Sequence, residues 1–372
     1  MSTLGILFSD IHSRGVAELT HLRTVASVPF GGRYRLVDFP LSNMVNSGIY
    51  KIGVITKSNY HSLIDHIKSG KDWDLSRKNG GVVLLPPYGI AASAGPYQSR
   101  LDALKRIKKF IESSTEDYVV MADCDVILNI DYNEVIKFHE TSGADITCVY
   151  KDTETDASRS KRSTIYKVND SGQITDILLS PEISGGCSVA QNSWVMTRKM
   201  LLYLIAEANT HGLEHFNKDI LLDNVNNMKI MGYRHNSYCA HISSLSGYVK
   251  YNMDMICKEK RDALFAVPAR PIHTKVRDSA PTRYGSDATV KNSLIADGCV
   301  INGYVENSIL FEGVKIESGS RVTNCIVMQN TIIESSSSLS WIICDKNVII
   351  KAGRTLSADK SYPLYITKGK MI

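Results

Sequence analysis

Over the first two-thirds of the chain, short apolar runs alternate with windows in which apolar positions recur every three or four residues. Leu4 to Phe8, Ile49 to Thr56, Tyr118 to Ala122 and Ile146 to Tyr150 have few polar positions and predict strands buried on both faces. Leu101, Leu104, Ile107 and Ile111 share one face of a helix, and Asp131 to Glu140 reads as a second amphipathic helix. The Leu-rich run Met200 to Ile205 predicts a buried helix face, and Trp194, Tyr248 and Tyr251 read as core aromatics. Alternating strands and helices predict an α/β domain with a mainly parallel sheet. Ligands of such sheets bind beyond the carboxyl ends of the strands, which selects Ser9 to Arg23 and Cys124 to Asn129 as places for chemistry.

From Asn292 the pattern changes to a repeat. Asn292-Ser-Leu-Ile, Asn307-Ser-Ile-Leu, Asn324-Cys-Ile-Val and Ser340-Trp-Ile-Ile follow one another at offsets of 15, 17 and 16 residues. A second set of apolar pairs recurs about six residues later: Val300 with Ile301, Val314 with Ile316, Ile332 with Ile333, and Val348 with Ile349. Short strands of this period, with Asp297-Gly298, Glu312-Gly313 and Glu317 to Ser320 as polar corners, predict the stacked rungs of a parallel β-helix of hexapeptide repeats. Pro268, Pro271 and Pro281 punctuate the stretch between the two patterns. The expected division is an α/β domain at 1–255, a linker at 256–284 and the β-helix at 285–372.

Composition agrees with this division. A chain of 372 residues exceeds the usual ceiling for one hydrophobic core. Hydrophobic residues at 43% and charged ones at 22% place it in the soluble globular class. A net charge of +5 is small for this length and argues against nucleic acid as a partner. No apolar run is long enough for a membrane span or a signal peptide, so no membrane partner and a cytoplasmic location are expected. The eight cysteines have no CxxC pair and read as buried small hydrophobes. His211, His215, His235 and His241 form no metal-binding or nucleophilic constellation, and His215 reads as a loop residue. The absence of histidine from Asn292 onward disfavours acyl transfer by the repeats.

The segment Val28-Pro-Phe-Gly-Gly-Arg-Tyr-Arg-Leu-Val-Asp-Phe-Pro-Leu-Ser-Asn43, with Asn46-Ser-Gly-Ile49 after it, resembles the signature of glucose-1-phosphate adenylyltransferases. The resemblance continues through Val54-Ile-Thr56, Asp131-Tyr132, Phe216, Lys218-Asp-Ile220 and Pro271 to Asp278, so it spans nearly the whole chain. It implies a nucleotidyltransferase-like (Rossmann-like) domain followed by a left-handed β-helix. It also implies the reaction of ATP with glucose 1-phosphate to ADP-glucose and pyrophosphate, using Mg²⁺.

Against that pattern, the residues needed for adenylyl transfer have changed. The reaction needs backbone N–H groups of a glycine-rich loop around the triphosphate, a cation on the phosphates and carboxylates holding the metal. Where the family has Gly-Gly-x-Gly-Thr-Arg-Leu, this chain has Phe8-Ser-Asp-Ile-His-Ser-Arg-Gly-Val16, in which Asp10 would repel phosphate. The phosphate lysine position is Val25, the nucleotide motif Gly-Thr-Ala-Asp-Ala is replaced by Ser99-Arg100-Leu-Asp-Ala103, and the sugar-phosphate lysine position is Ser180. Asp125 and Asp219 remain at the positions of the family's metal-binding aspartates; each also has a plain capping role open to it. Asp123 has no assigned counterpart. Arg33 and Arg35 are a candidate regulatory anion site, because effectors of this family bind near the two-domain junction; structural pairing with Asp38 is the alternative.

Removing one transition-state donor commonly costs about a hundred- to a thousandfold in rate. With several lost, the chain is expected to resemble the GlgD-type, regulatory branch of the family. Such a subunit has little or no activity, needs no cofactor and modulates a catalytic GlgC-type partner within a hetero-oligomer. The alternatives are a weak enzyme using Asp125, Asp219 and Mg²⁺, and a non-catalytic sensor of a sugar phosphate or nucleotide.

Overall fold

The computed structural model describes residues 2–11, 13–86 and 97–372; His12, in the loop that stands where the family has its glycine-rich turn, lies outside them. The nine-stranded sheet is built from β1 (Thr3–Phe8), β2 (Lys51–Ile55), β3 (Gly81–Leu85), β4 (Tyr118–Asp123), β5 (Ile146–Thr155), β6 (Thr164–Val168), β7 (Ile174–Leu179), β8 (Gly185–Thr197) and β9 (Ile230–Arg234). The order is β7-β6-β8-β4-β1-β2-β3, with β5 joined to β8 and β9. β1 is parallel to β2 and β4, and β2 to β3, as the apolar runs predict. The long β8 runs antiparallel to β4, β5 and β6, which makes the sheet mixed on that side.

Both faces are covered. Leu4, Ile6 and Phe8 pack with Val119 and Met121 on one face, under Leu101, Leu104, Leu201 and Ile205. Leu7, Ile52, Val54 and Val120 pack on the other, under Leu41, Met44 and Val135. The helix expected around Leu101 to Ile111 forms in two pieces, α1 (Arg100–Arg106) and α2 (Lys108–Glu112), which meet where Ile107 leaves helical geometry at φ −95 and ψ 11. All four of its apolar residues still reach the same core. The second expected helix is α3 (Tyr132–Ser142), with the Asp131 carboxylate accepting the Asn133 N–H at its start.

The C-terminal quarter winds into three parallel five-stranded sheets, the walls of the β-helix. Ile301, Ile316, Ile333 and Ile350 stack in register and are fully buried. At one corner Asn292, Asn307 and Asn324 take left-handed φ of 41, 46 and 55°, a conformation asparagine tolerates better than most residues. The Asn292 side-chain amide donates to the side-chain Oδ1 of Asn307 at 2.6 Å. The structure corrects the fourth repeat by one residue. Ser340 pairs with Thr323, so Trp341, at φ 57°, takes the asparagine corner; likewise Ile350, not Ile349, continues the stack. In strands a slip of one reverses the faces, and only this register keeps Val322 and Leu339 both inside.

The two units share a third core, in which Val25, Phe30, Phe39 and Tyr248 meet Ile309, Phe311, Ile326 and Met328. Arg23 crosses this junction to the Asp345 carboxylate at 2.8 Å, both groups buried, and the Tyr365 hydroxyl donates to the same carboxylate at 2.7 Å. Residues 256–284 carry α5 (Lys258–Phe265), which follows α4 (Leu245–Asp254), and the first strand of the β-helix, Arg283–Tyr284. Phe265 stacks on Tyr34 with ring centroids 4.7 Å apart, so this stretch is packed as well as connecting. All eight cysteines are free thiols, but Cys257 is exposed and Cys187 and Cys239 are half-buried, so the buried-hydrophobe reading holds for five of them.

Candidate functional site

The carboxyl ends of β1 and β4 meet where the sequence places the chemistry. After β1, Asp10 is buried, and its carboxylate accepts the Val25 N–H at 3.3 Å. Burial pushes its pKa up, offset in part by that N–H and by Lys57. Val25 turns its side chain into the junction core. The position that carries a lysine in the family thus belongs to an apolar contact here. Gly15 sits so tightly on the Ser243 carbonyl that a Cβ would come within 2.3 Å of its oxygen.

Ser99 and Arg100 begin α1. The Ser99 hydroxyl caps it by accepting the Asp102 N–H at 3.1 Å and donates to the Glu214 carbonyl. Arg100 turns inward beneath the cap. Its guanidinium holds the Asp123 carboxylate at the end of β4, with Nε to Oδ1 at 2.9 Å and a second contact through Nη2, and it lies 5.1 Å from the Trp194 ring. Both partners are buried: the arginine is 9% exposed and the aspartate 2%. The sequence shows a replaced nucleotide motif at 99 and 100 but assigns Asp123 no counterpart, because nothing local joins positions that far apart.

Asp125 and Asp219 each have partners of their own. Asp125 is buried, and its Oδ2 lies 3.0 Å from Nε2 of His241, which the antiparallel pairing of Cys239–His241 with Val126–Leu128 sets beside it. Asp219 closes its own loop. Its Oδ2 accepts the N–H groups of Glu214 at 2.7 Å and His215 at 2.8 Å. Against a desolvation that pushes upward, these donors hold its pKa below the ordinary value. Mg²⁺ takes oxygen ligands in near-octahedral order, and a carboxylate facing an imidazole does not supply them. Among the described residues no group of three or more His, Cys, Asp or Glu is arranged around a metal. The donor set that the resemblance implies therefore does not fit. His241 is the neighbour the sequence reading missed.

A cleft of about 880 Å³ remains, lined by Gly15, Ser99, Arg100, Ser180, Lys218 and His241 among others. Ser180 is exposed there, at φ 53°, and its N–H bonds the Ser163 carbonyl at 3.0 Å.

A second cavity, of about 490 Å³, opens at the domain junction and brings Arg33 and Arg35 together with Arg261, Lys275 and Arg277. Arg33 is exposed. Arg35 is buried, donates to the Ser62 carbonyl at 2.6 Å and its hydroxyl at 2.9 Å, and is brought down to about 10 mainly by desolvation. The expected alternative, pairing with Asp38, occurs through the Arg35 backbone N–H at 2.9 Å, while the other Asp38 oxygen is 2.6 Å from His66. Burial and the charges of Arg35, Arg23 and Arg277 push Lys346 down to about 6, with Asp345 opposing them. Lys275 and Arg277 lie in Pro271 to Asp278, a stretch the resemblance had already marked.

A nucleotidyl transferase family model matches residues 16–242, and a GlmU-like C-terminal hexapeptide model matches residues 276–362. The chain is 32% identical to the glycogen biosynthesis protein GlgD of Bacillus subtilis, over 86% of this chain and 82% of that one. It is 33% identical to GlgD of Geobacillus stearothermophilus over the same shares. It is also 32% identical to the glucose-1-phosphate adenylyltransferase of Pseudothermotoga lettingae, over 84% of this chain and 74% of the relative. With a nucleotidyltransferase sheet, a hexapeptide β-helix and relatives of this kind along most of its length, the chain belongs to the nucleotidyl transferase family, in the group that holds GlgD proteins and glucose-1-phosphate adenylyltransferases.

Proposed function

We propose that this chain is a regulatory, largely non-catalytic subunit of a glucose-1-phosphate adenylyltransferase in glycogen biosynthesis, acting within a hetero-oligomer on a catalytic GlgC-type chain. The observation that carries the reading is the Arg100–Asp123 pair. It neutralises the carboxyl end of β4 from within, so the cleft's buried cation is already matched by a carboxylate. Val25 in the core and His241 beside Asp125 act in the same direction: one removes a phosphate cation, the other a metal ligand. Modulation of a partner then rests on the continuous core between the two units, through which a change at one surface shifts the populations of both chains. The junction cavity, with Arg33 and Arg35, is the place for an anionic effector such as a sugar phosphate.

The test is co-purification with a catalytic chain, followed by rates for the mixture and for each part. The mixture outruns the catalytic chain alone or shifts its effector response, while the isolated chain does not turn over. A mixture that behaves as the catalytic chain alone overturns the reading. The size of the retained cleft favours a second reading, a non-catalytic sensor of a sugar phosphate or nucleotide. Ligand binding by the isolated chain with no association to a catalytic chain would select it.

A further inference from the structure

Beside the cleft, against the first turns of α4, lies another cavity of about 300 Å³ whose wall carries Lys151, Arg159, Arg162 and Lys250. It adjoins the cleft through Arg162, Ser163, His241 and Ser243, which line both. Among the described residues none of these four cations makes an ion pair. Lys151 donates to the Ser237 carbonyl, and Arg159 and Lys250 each stand 5.7 Å from the centre of the Tyr251 ring. The one carboxylate lining the cavity, Asp156, is engaged as a helix cap, accepting the Arg159 N–H at 2.9 Å.

Neighbouring cations on the same segments are treated differently. Lys161 meets Glu182 at 2.6 Å, and Arg234 meets Asp152 at 2.8 Å. Side chains alternate along a strand, so Asp152 faces away from Lys151 and its charge goes to the other side of β5. The result is a concave surface where four cations face a single carboxylate, a net excess of positive charge. The arrangement is unfavourable until an anion enters. Burial first, and then the charge of Lys151, pushes His235 down to about 4.

We propose that this cavity binds a small phosphate-bearing anion, a phosphomonoester or diphosphate, between Arg159, Lys250, Lys151 and the hydroxyls of Ser243, Ser244 and Ser246. Several cations and hydroxyl donors converging from different elements match a tetrahedral group with many acceptor oxygens better than a planar carboxylate. The volume leaves room for a sugar-sized remainder. This site adjoins the cleft but is distinct from the junction cavity, and it does not depend on whether the chain is a regulatory subunit.

The experiment is isothermal titration of the full chain with inorganic phosphate and, separately, inorganic pyrophosphate, at constant ionic strength set by chloride. A saturable site is expected whose affinity falls at least tenfold in the Arg159→Gln, Lys250→Gln double variant. Lys250→Gln alone, at an exposed rim position, gives a smaller loss in the same direction and guards against a folding defect. The site persists in Lys218→Gln, in the cleft, and in Arg277→Gln, at the junction. Absence of saturable heat, or a site removed by Lys218→Gln or Arg277→Gln and untouched by the double variant, overturns the proposal.

Discussion

The cleft at the ends of β1 and β4 and the cavity at the domain junction both gather arginines, and they use them in opposite ways. In the cleft the buried guanidinium of Arg100 is closed onto Asp123, and the two carboxylates the family uses for metal are turned to an imidazole and to backbone N–H groups. At the junction Arg33 and Arg35 line an open cavity and make no ion pair among the described residues, while Lys275 meets Asp65 at 3.6 Å and Arg23 is locked to the buried Asp345 carboxylate. Whole-chain charge is blind to this difference, because an arginine counts the same whether it faces a ligand or an aspartate. The comparison teaches that a buried cation can be kept in a cleft and yet be withheld from a ligand: a partner within the protein is enough.

The largest expected effect tests the locked arginine of the junction. Arg23→Ala leaves Asp345 buried without its cation and should cost about 3–5 kcal/mol, measured by urea unfolding, whereas Arg33→Ala, at an exposed position, should stay within about 0.5 kcal/mol. Equal costs would erase the distinction between paired and open arginines. In the cleft, Arg100→Ala should cost a similar amount or slightly less. The apolar double variant Arg100→Met, Asp123→Leu should recover most of it, since removing both charges also removes the desolvation penalty.

A pH titration probes the field beside the cleft. His235 is depressed to about 4 in the folded state, so between pH 6.5 and 4 the unfolded chain binds the extra proton. Stability from this group is therefore complete above the unfolded pKa and is lost as pH falls through that window, by on the order of 3 kcal/mol. His235→Gln should flatten the slope of unfolding free energy against pH over the same range. The smallest effect belongs to Ser99→Ala. It removes a helix cap and should cost about 1 kcal/mol, with no change in the Arg100–Asp123 contact. A much larger loss would give Ser99 a part in holding the cleft closed, through its bond to the Glu214 carbonyl.

Much of this was legible before the fold. Strands β1, β2, β4 and β5 follow from apolar runs because burial on both faces leaves a continuous pattern, and the rungs follow from a period that only stacked coils satisfy. The register of the last rung was not legible, since Ser340 and Trp341 are equally compatible with the repeat until Leu339 has to point inward. The substitutions at Val25, Ser99, Arg100 and Ser180 were readable as losses of particular groups.

What replaced those groups was not readable. Arg100 with Asp123, Asp125 with His241, Arg23 with Asp345, and Arg159 with Tyr251 are all contacts between residues far apart in the chain, made by strand pairing and packing. Residue type and local period decide which elements form and which side chains stand at each motif position, because those depend on neighbours within a few positions. Which charge meets which, and so where the protein has neutralised its cations and where it still presents them, depends on distances in space that only the folded chain sets.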